Sequence, residues 1–549
     1  GCYNQAIGHS SLYKNKTGLY NNAMGFCSMY SANSGAHNNA IGFGALHKNW
    51  GGDGNEAIGR QALACNTEGD CNQALGYRAA FCNTTGCYNT AIGCYALYTN
   101  TTAGCNIAIG GAAMSCNTGG AGGTNVAVGH NALKLGVSGW GNTAIGYDAG
   151  CKYWGAYPSM FIGYSAGRFT TCGVGNSFVG KCAGFCNTTG SSNTFIGSDA
   201  GAGNTTGGSN IAIGTNSGPA LAADHSANES IFIGSAAGSC NTNSYQTLIG
   251  GNAGRYLEDG GSTVAVGWNA NRGSCGNTTG YYNTSIGTCA NYAVTTGASN
   301  VAVGWKSNSS NTTGNYGTAI GTCALLSNTT GHCNVGLGYL AGFNNTTGGS
   351  NVAIGAKTLY NANSGSCNVA IGECALYDSW GGVNNVAIGR CSLRYNTTGN
   401  CNIALGNLAL KSNTTGGENF SVGYSSLEYN TTGWYNIALG PQAMKKNTTS
   451  SYNIAFGHSP LWSNTTGEMN IAMGYQSLYS NISGNCNIAL GRETLQASYG
   501  GDHNVAMGLC TLRSTTEGNQ NTGIGCGVLK ANTTGGYNVG MGCGALGSN

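Results

Sequence analysis

The sequence predicts an all-β fold: a parallel β-solenoid (β-roll) of 32 coils with a 17-residue repeat and two short strands per coil. Three observations predict it. A glycine recurs with a 17-residue step from Gly8 to Gly542, interrupted only in the middle of the chain. No 3.6-residue periodicity accompanies it, and an obligatory glycine in each unit would cost a helix about 1 kcal/mol per repeat. Composition is the third: 97 of 549 residues are Gly and only 7% are charged, so backbone and small side chains must carry the fold. A disordered low-complexity chain would share that composition but not the period.

The consensus unit is Asn-x-Ala-Ile-Gly-x-x-Ala-Leu-x-x-Asn-Thr-Thr-Gly-x-x, with positions numbered 1 to 17. Position 5 is Gly and position 4 is apolar in all 32 copies, and position 1 is Asn in 27. Residues 1–549 read as one continuous solenoid: regular coils over 1–110, irregular spacing and loop insertions over 111–290, and regular coils over 291–549. Strands are expected at positions 2 to 4 and 7 to 10. A bend at the position-5 Gly separates them, and the Asn-Thr-Thr-Gly turn closes the unit. Gly at positions 5 and 15 marks places where positive φ is expected. At a coil spacing of about 4.8 Å, the stack would extend about 150 Å.

Alternation along a strand points positions 3 and 4 to opposite faces, and likewise 8 and 9. Position 3 is bulky at Phe161, Phe178, Phe195, Phe232 and Leu248, and the same coils have Gly167, Gly184, Gly201, Gly238 and Gly254 at position 9. That pairing reads as volume compensation within one packed layer. With 3 and 9 inside, the apolar row at position 4 lies outside. Either lateral neighbours cover it, or a triangular coil buries both rows. The Asn at position 1 is expected to form a ladder from coil to coil.

The run Asn351–Gly355, repeated at Asn385–Gly389, resembles the head-repeat β-rolls of trimeric autotransporter adhesins. The stretch Asn89–Leu97 is similar to the Asn-Thr-Ala-Ile-Gly repeats of bacteriophage tail fibres. The resemblance implies a left-handed β-roll, a homo-oligomer of three chains side by side, and an adhesive or spacer role outside the cell or on a virion. Two departures stand out: a longer repeat carrying Asn-Thr-Thr-Gly, and 26 cysteines.

Those cysteines fit an oxidising compartment. Cys65 and Cys82 share position 11, Cys374 and Cys391 position 7, and Cys526 and Cys543 position 6, each pair in adjacent coils. A separation of about 4.8 Å lies within disulfide reach, so three in-register disulfides are expected. Position 12 carries an Asn-x-Ser/Thr acceptor at Asn15, Asn83, Asn100, Asn187, Asn204, Asn311, Asn328, Asn345, Asn396, Asn413, Asn430, Asn447, Asn464, Asn481 and Asn532, and Asn277 is equivalent in a lengthened coil. These residues are either a column of N-glycans along one edge or simply good turn chemistry.

A net charge of +3 gives no footprint for nucleic acid, and no apolar run is long enough to span a bilayer. The acidic residues are scattered, so no enzyme is expected; no Cys-x-x-Cys occurs among the scattered His and Cys, so neither metal nor cofactor is expected. The expected function is a structural extracellular, cell-surface or virion-surface fibre segment, forming a rigid oligomeric filament. The alternative is an adhesin or a receptor- or carbohydrate-binding tail fibre, with its epitope among the irregular coils. Both ends match the repeat, so each end coil is expected to pair with more of the same structure, either as a window of a longer repetitive chain or by head-to-tail stacking of chains.

Overall fold

The computed structural model describes residues 2–548 apart from 118–122, 137–138, 220–225, 259–260, 275 and 277. Among the described residues there is no helix, and each of the 32 strands is three residues long. Strands are labelled in chain order, from β1 (Gln5–Ile7) to β16 (Val264–Val266) in a first compact unit, residues 1–279. A second unit, residues 280–549, holds β17 (Thr284–Ile286) to β32 (Val539–Met541). Within each unit consecutive strands pair in parallel at identical repeat positions, as Val352↔Val369 and Phe178↔Phe195 do. The chain is a parallel β-solenoid with the predicted 17-residue spacing.

One strand per coil is observed, at positions 2 to 4, where two were expected. Positions 6 to 11 form turns instead, because positions 7 and 9 take positive φ: 57° at Cys374 and 49° at Leu376 in one coil. A turn bond closes that loop, Ala375 N–H donating to the Gly372 carbonyl at 3.2 Å. The segment still bonds to its neighbours: Leu376 N–H donates forward to Ser392 O at 3.0 Å, and Cys374 N–H donates back to Ala356 O at 3.0 Å. Left-handed backbone at a bulky residue costs roughly 1–2 kcal/mol. Burying a leucine returns about 1.5–3 kcal/mol, so the packed interior can hold Leu there. For the same reason positions 8 and 9 do not face opposite ways: Ala375 and Leu376 are both buried.

The core runs through the middle of each coil and is built from positions 3, 8 and 9. The volume compensation is visible atom by atom. A Cβ on Gly184 would lie 2.5 Å from the Phe178 ring, and one on Gly201 would lie 2.6 Å from Phe195. Position-9 glycines beside a small position 3 are filled from the neighbouring coil. Phe161 reaches across to Gly150, and Leu325 to Gly342, each 2.6 Å from where a Cβ would stand.

The two glycine columns have different causes. Position 5 needs its glycine for conformation: φ at Gly389 is +131°, and a Cβ would sit 2.5 Å from Gly406 O. Position 15 does not take the expected positive φ. It needs glycine because coils approach too closely there, a Cβ on Gly314 meeting Gly331 O at 2.5 Å.

Candidate interaction surface

With position 3 inside, positions 2 and 4 share the outer face of each sheet. The position-4 row is partly exposed along its length, rising to 41% at Met473 and 55% at Phe456. The inside/outside assignment of this row is therefore as expected, and the triangular coil that would bury it does not form. Position 2 was not singled out in the sequence, although strand alternation alone puts it beside position 4. It is polar in the first coils (Gln5, Asn22, Asn39, Glu56, Gln73) and continuously apolar from Val335 of β20 (Val335–Leu337) to Val505 of β30 (Val505–Met507). The second unit thus carries two adjacent apolar rows on one open face.

The Asn ladder at position 1 is present. Asn402 N–H donates to Asn385 Oδ1 at 3.0 Å, and its Nδ2 donates to Gly416 O at 2.9 Å. Position 12 forms a second ladder, and this corrects the glycan expectation. Asn83, Asn100, Asn187, Asn204, Asn311, Asn396, Asn413, Asn430, Asn447, Asn464 and Asn481 are fully buried, and Asn328, Asn345 and Asn532 are at most 3% exposed. Asn413 Nδ2 donates to Asn396 Oδ1 at 2.7 Å and to Gly416 O at 2.8 Å. A glycan on that nitrogen would break both bonds and has no space inside the coil. Asn15, in the first coil, is half-buried with Nδ2 donating to Gly18 O, and Asn277 lies outside the described residues.

Cys65 and Cys82, Cys374 and Cys391, and Cys526 and Cys543 stand in register on adjacent coils, and all six are free thiols in the structure. Burial, and then its neighbour Cys65, push the Cys82 thiol above its usual pKa; burial and then Cys391 do the same for Cys374. Aromatic side chains stack along columns as well. Tyr13 and Tyr30 are 5.2 Å apart, and Tyr360 and Tyr377 are 4.9 Å apart, with planes within 9° of parallel.

Among the described residues no three His, Cys, Asp or Glu side chains converge to hold a metal ion, and no helix is long and apolar enough to cross a membrane. No family model and no curated protein matches the chain.

Proposed function

We propose that this chain is a structural fibre segment, displayed outside the cell or on a virion, whose copies associate side by side through the outer faces of their sheets. The open double apolar row of the second unit carries the reading. The two rows run together over the eleven strands β20 to β30, which at about 4.8 Å spacing and about 10 Å length present a face of about 530 Å². That is at the upper end of the apolar patches a lone soluble chain exposes, and patches of this size often mark an interaction site. A standard protein interface buries about 800 Å² per partner, so this face supplies about two-thirds of one and a copy of the same face is its natural cover. A homo-oligomer of three chains is the stoichiometry suggested by the resemblance of the repeats to trimeric adhesin heads.

The rest of the coil suits a spacer. Two buried amide ladders and a hydrogen bond at nearly every rung resist bending and local opening, as a load-bearing shaft requires. The test replaces Ile354, Ile371 and Ile388 together by Asn, and mass is read by analytical ultracentrifugation. These side chains point outward, so the far-UV signal should persist while the oligomer falls apart into single chains. Unchanged mass in the variant, or a wild-type chain that sediments as a monomer, would sink the proposal.

A further inference from the structure

We propose that the chain carries two saccharide-binding grooves, built on the same plan and headed by Trp50 and Trp380. The proposal does not rest on the fibre reading, since a bare shaft would need neither groove.

The sequence departs from its consensus in the same way twice. Position 12 to 15 reads Ala-Asn-Ser-Gly at Ala32–Gly35 and again at Ala362–Gly365, in place of Asn-Thr-Thr-Gly. In each case the next coil continues with Trp-Gly-Gly at positions 13 to 15, Trp50–Gly52 and Trp380–Gly382. No other coil has either block. The paired departures build the same local structure. Ser34 N–H donates to Trp50 O at 2.8 Å, and Ser364 N–H to Trp380 O at 3.2 Å. Both serine hydroxyls donate to the same carbonyl, each at 3.3 Å.

The outcome in both places is an open groove between the position-11 and position-13 columns with an indole at its end. The first, about 310 Å³, is lined by Lys14, Lys16, Ser31, Asn33 and Trp50. The second, about 300 Å³, is lined by Ser327, Asn344, Thr346, Asn361, Asn363 and Trp380. Trp50 is 62% exposed and Trp380 59%, so the ring faces are available rather than packed into the coil.

The second groove also weakens the coil beneath it. At many rungs the position-12 amides bond from coil to coil, as Asn413 does to Asn396, and Ala362 removes such a rung. Asn345 Oδ1 and Ser379 Oγ, on either side of it, are buried and have no hydrogen-bond partner among the described residues. A buried polar atom left unpaired costs stability.

The chemistry of the lining selects the ligand. An exposed indole stacks on the apolar C–H face of a pyranose ring, and amide and hydroxyl groups alongside bind ring hydroxyls. In the second groove Asn344 Nδ2 donates to Asn361 Oδ1, and Asn361 Nδ2 to Asp378 Oδ1, both at 2.7 Å. Those bonds hold the amides in fixed orientation and occupy the one nearby carboxylate, so this groove suits a neutral sugar. In the first groove Lys14 and Lys16 replace Asn344 and Thr346 at the equivalent positions, so it favours a sugar bearing a carboxylate.

The test applies the full chain to an array of neutral and uronic-acid-bearing oligosaccharides, with single-stranded oligonucleotides printed alongside. Wild type should bind both sugar classes. Trp380→Ala should weaken neutral glycans at least about tenfold, and Trp50→Ala the acidic ones, with Trp→Phe at either site retaining part of the binding. Far-UV signal and oligomer mass should be unchanged in all four variants, which separates loss of a groove from loss of the fibre. Absence of glycan binding by wild type, equal binding by every variant, or retention confined to the oligonucleotides would overturn the proposal.

Discussion

Phe178→Ala, Gly184→Leu and the double variant form a cycle whose outcome follows from the packing. Phe178 is fully buried and stacks on Phe195 with centroids 4.9 Å apart and planes 5° from parallel. Truncation to Ala empties the ring's volume, and position 9 of that coil has no side chain to move in. The cost should therefore fall in the range for a buried Phe, about 3–5 kcal/mol. Gly184→Leu alone drives a side chain into the ring, an overpacking cost of about 1–3 kcal/mol. Backbone adds little to that cost, because φ is 60° at Gly184 and already 49° at Leu376, which occupies the same position elsewhere. The double variant recreates the Ala–Leu pair that Ala370 and Leu376 make, and only its flanking rings, Phe161 and Phe195, remain mismatched. It should cost about 1–2 kcal/mol, leaving a coupling of about 4–5 kcal/mol, above the roughly 0.5–3 kcal/mol usual for residues in contact. Solenoids open in sections, so local hydrogen exchange of residues 177–201 is a better measure than a global melt. Protection should drop about 100-fold or more in Phe178→Ala and return to within about tenfold of wild type in the double variant, at 1.4 kcal/mol per factor of ten. A double variant as labile as the two single effects added together would show that positions 3 and 9 do not share one space.

Three further outcomes are expected. Mild oxidation should link Cys374 to Cys391, read by peptide mapping without reduction. The raised Cys374 pKa keeps its proton on at neutral pH, so linkage should be slow near pH 7 and faster well above the usual thiol value of about 8.5. By linkage, the folded state gains from that proton below the unfolded pKa and loses the gain as pH rises through the folded one. A rate independent of pH would contradict this. Asn413→Ala should destabilise its coil by about 1–3 kcal/mol in local hydrogen exchange, because Asn430 Nδ2 now donates to Asn413 Oδ1 and would lose that acceptor. Chain secreted from a eukaryotic host should carry no glycan at Asn413; a glycosidase-sensitive mass there in folded protein would overturn the interior assignment.

Much of this was legible because a strict repeat converts substitutions into geometry. Phe and Gly alternating between positions 3 and 9 reported a shared volume before any coordinate did. The position-4 row followed from position 3 by alternation alone. What misled was the second half of the coil. Ala-Leu at positions 8 and 9 looks like strand, and nothing in the residue types announces that Leu376 sits at positive φ. That conformation is imposed by coil closure, which is a property of the stack and not of the segment. The sequons misled for a related reason. Asn-Thr-Thr-Gly is a sound surface turn in isolation, and only stacking turns Asn413 inward to meet Asn396 and Asn430.

The repeat also limits where function can reside. Positions 1, 3, 5, 8, 9, 12 and 15 are committed to ladders, core and close approach, so a change there is felt by the coils on either side. The outward columns are free of that constraint, but each residue in them has its own counterpart as nearest neighbour, one coil away. Features on this surface therefore grow as columns: Tyr on Tyr, Cys beside Cys, an apolar stripe along the sheet. A column of like residues can supply area, and area is what side-by-side association needs. It cannot supply a concave site, because every rung has the same height. A recess requires neighbouring rungs to differ, and Ala32 with Trp50, and Ala362 with Trp380, differ from their neighbours in the same two coils and in the same order. On a surface built by repetition, a paired exception that recurs far away along the chain is the sequence feature most able to mark a binding site.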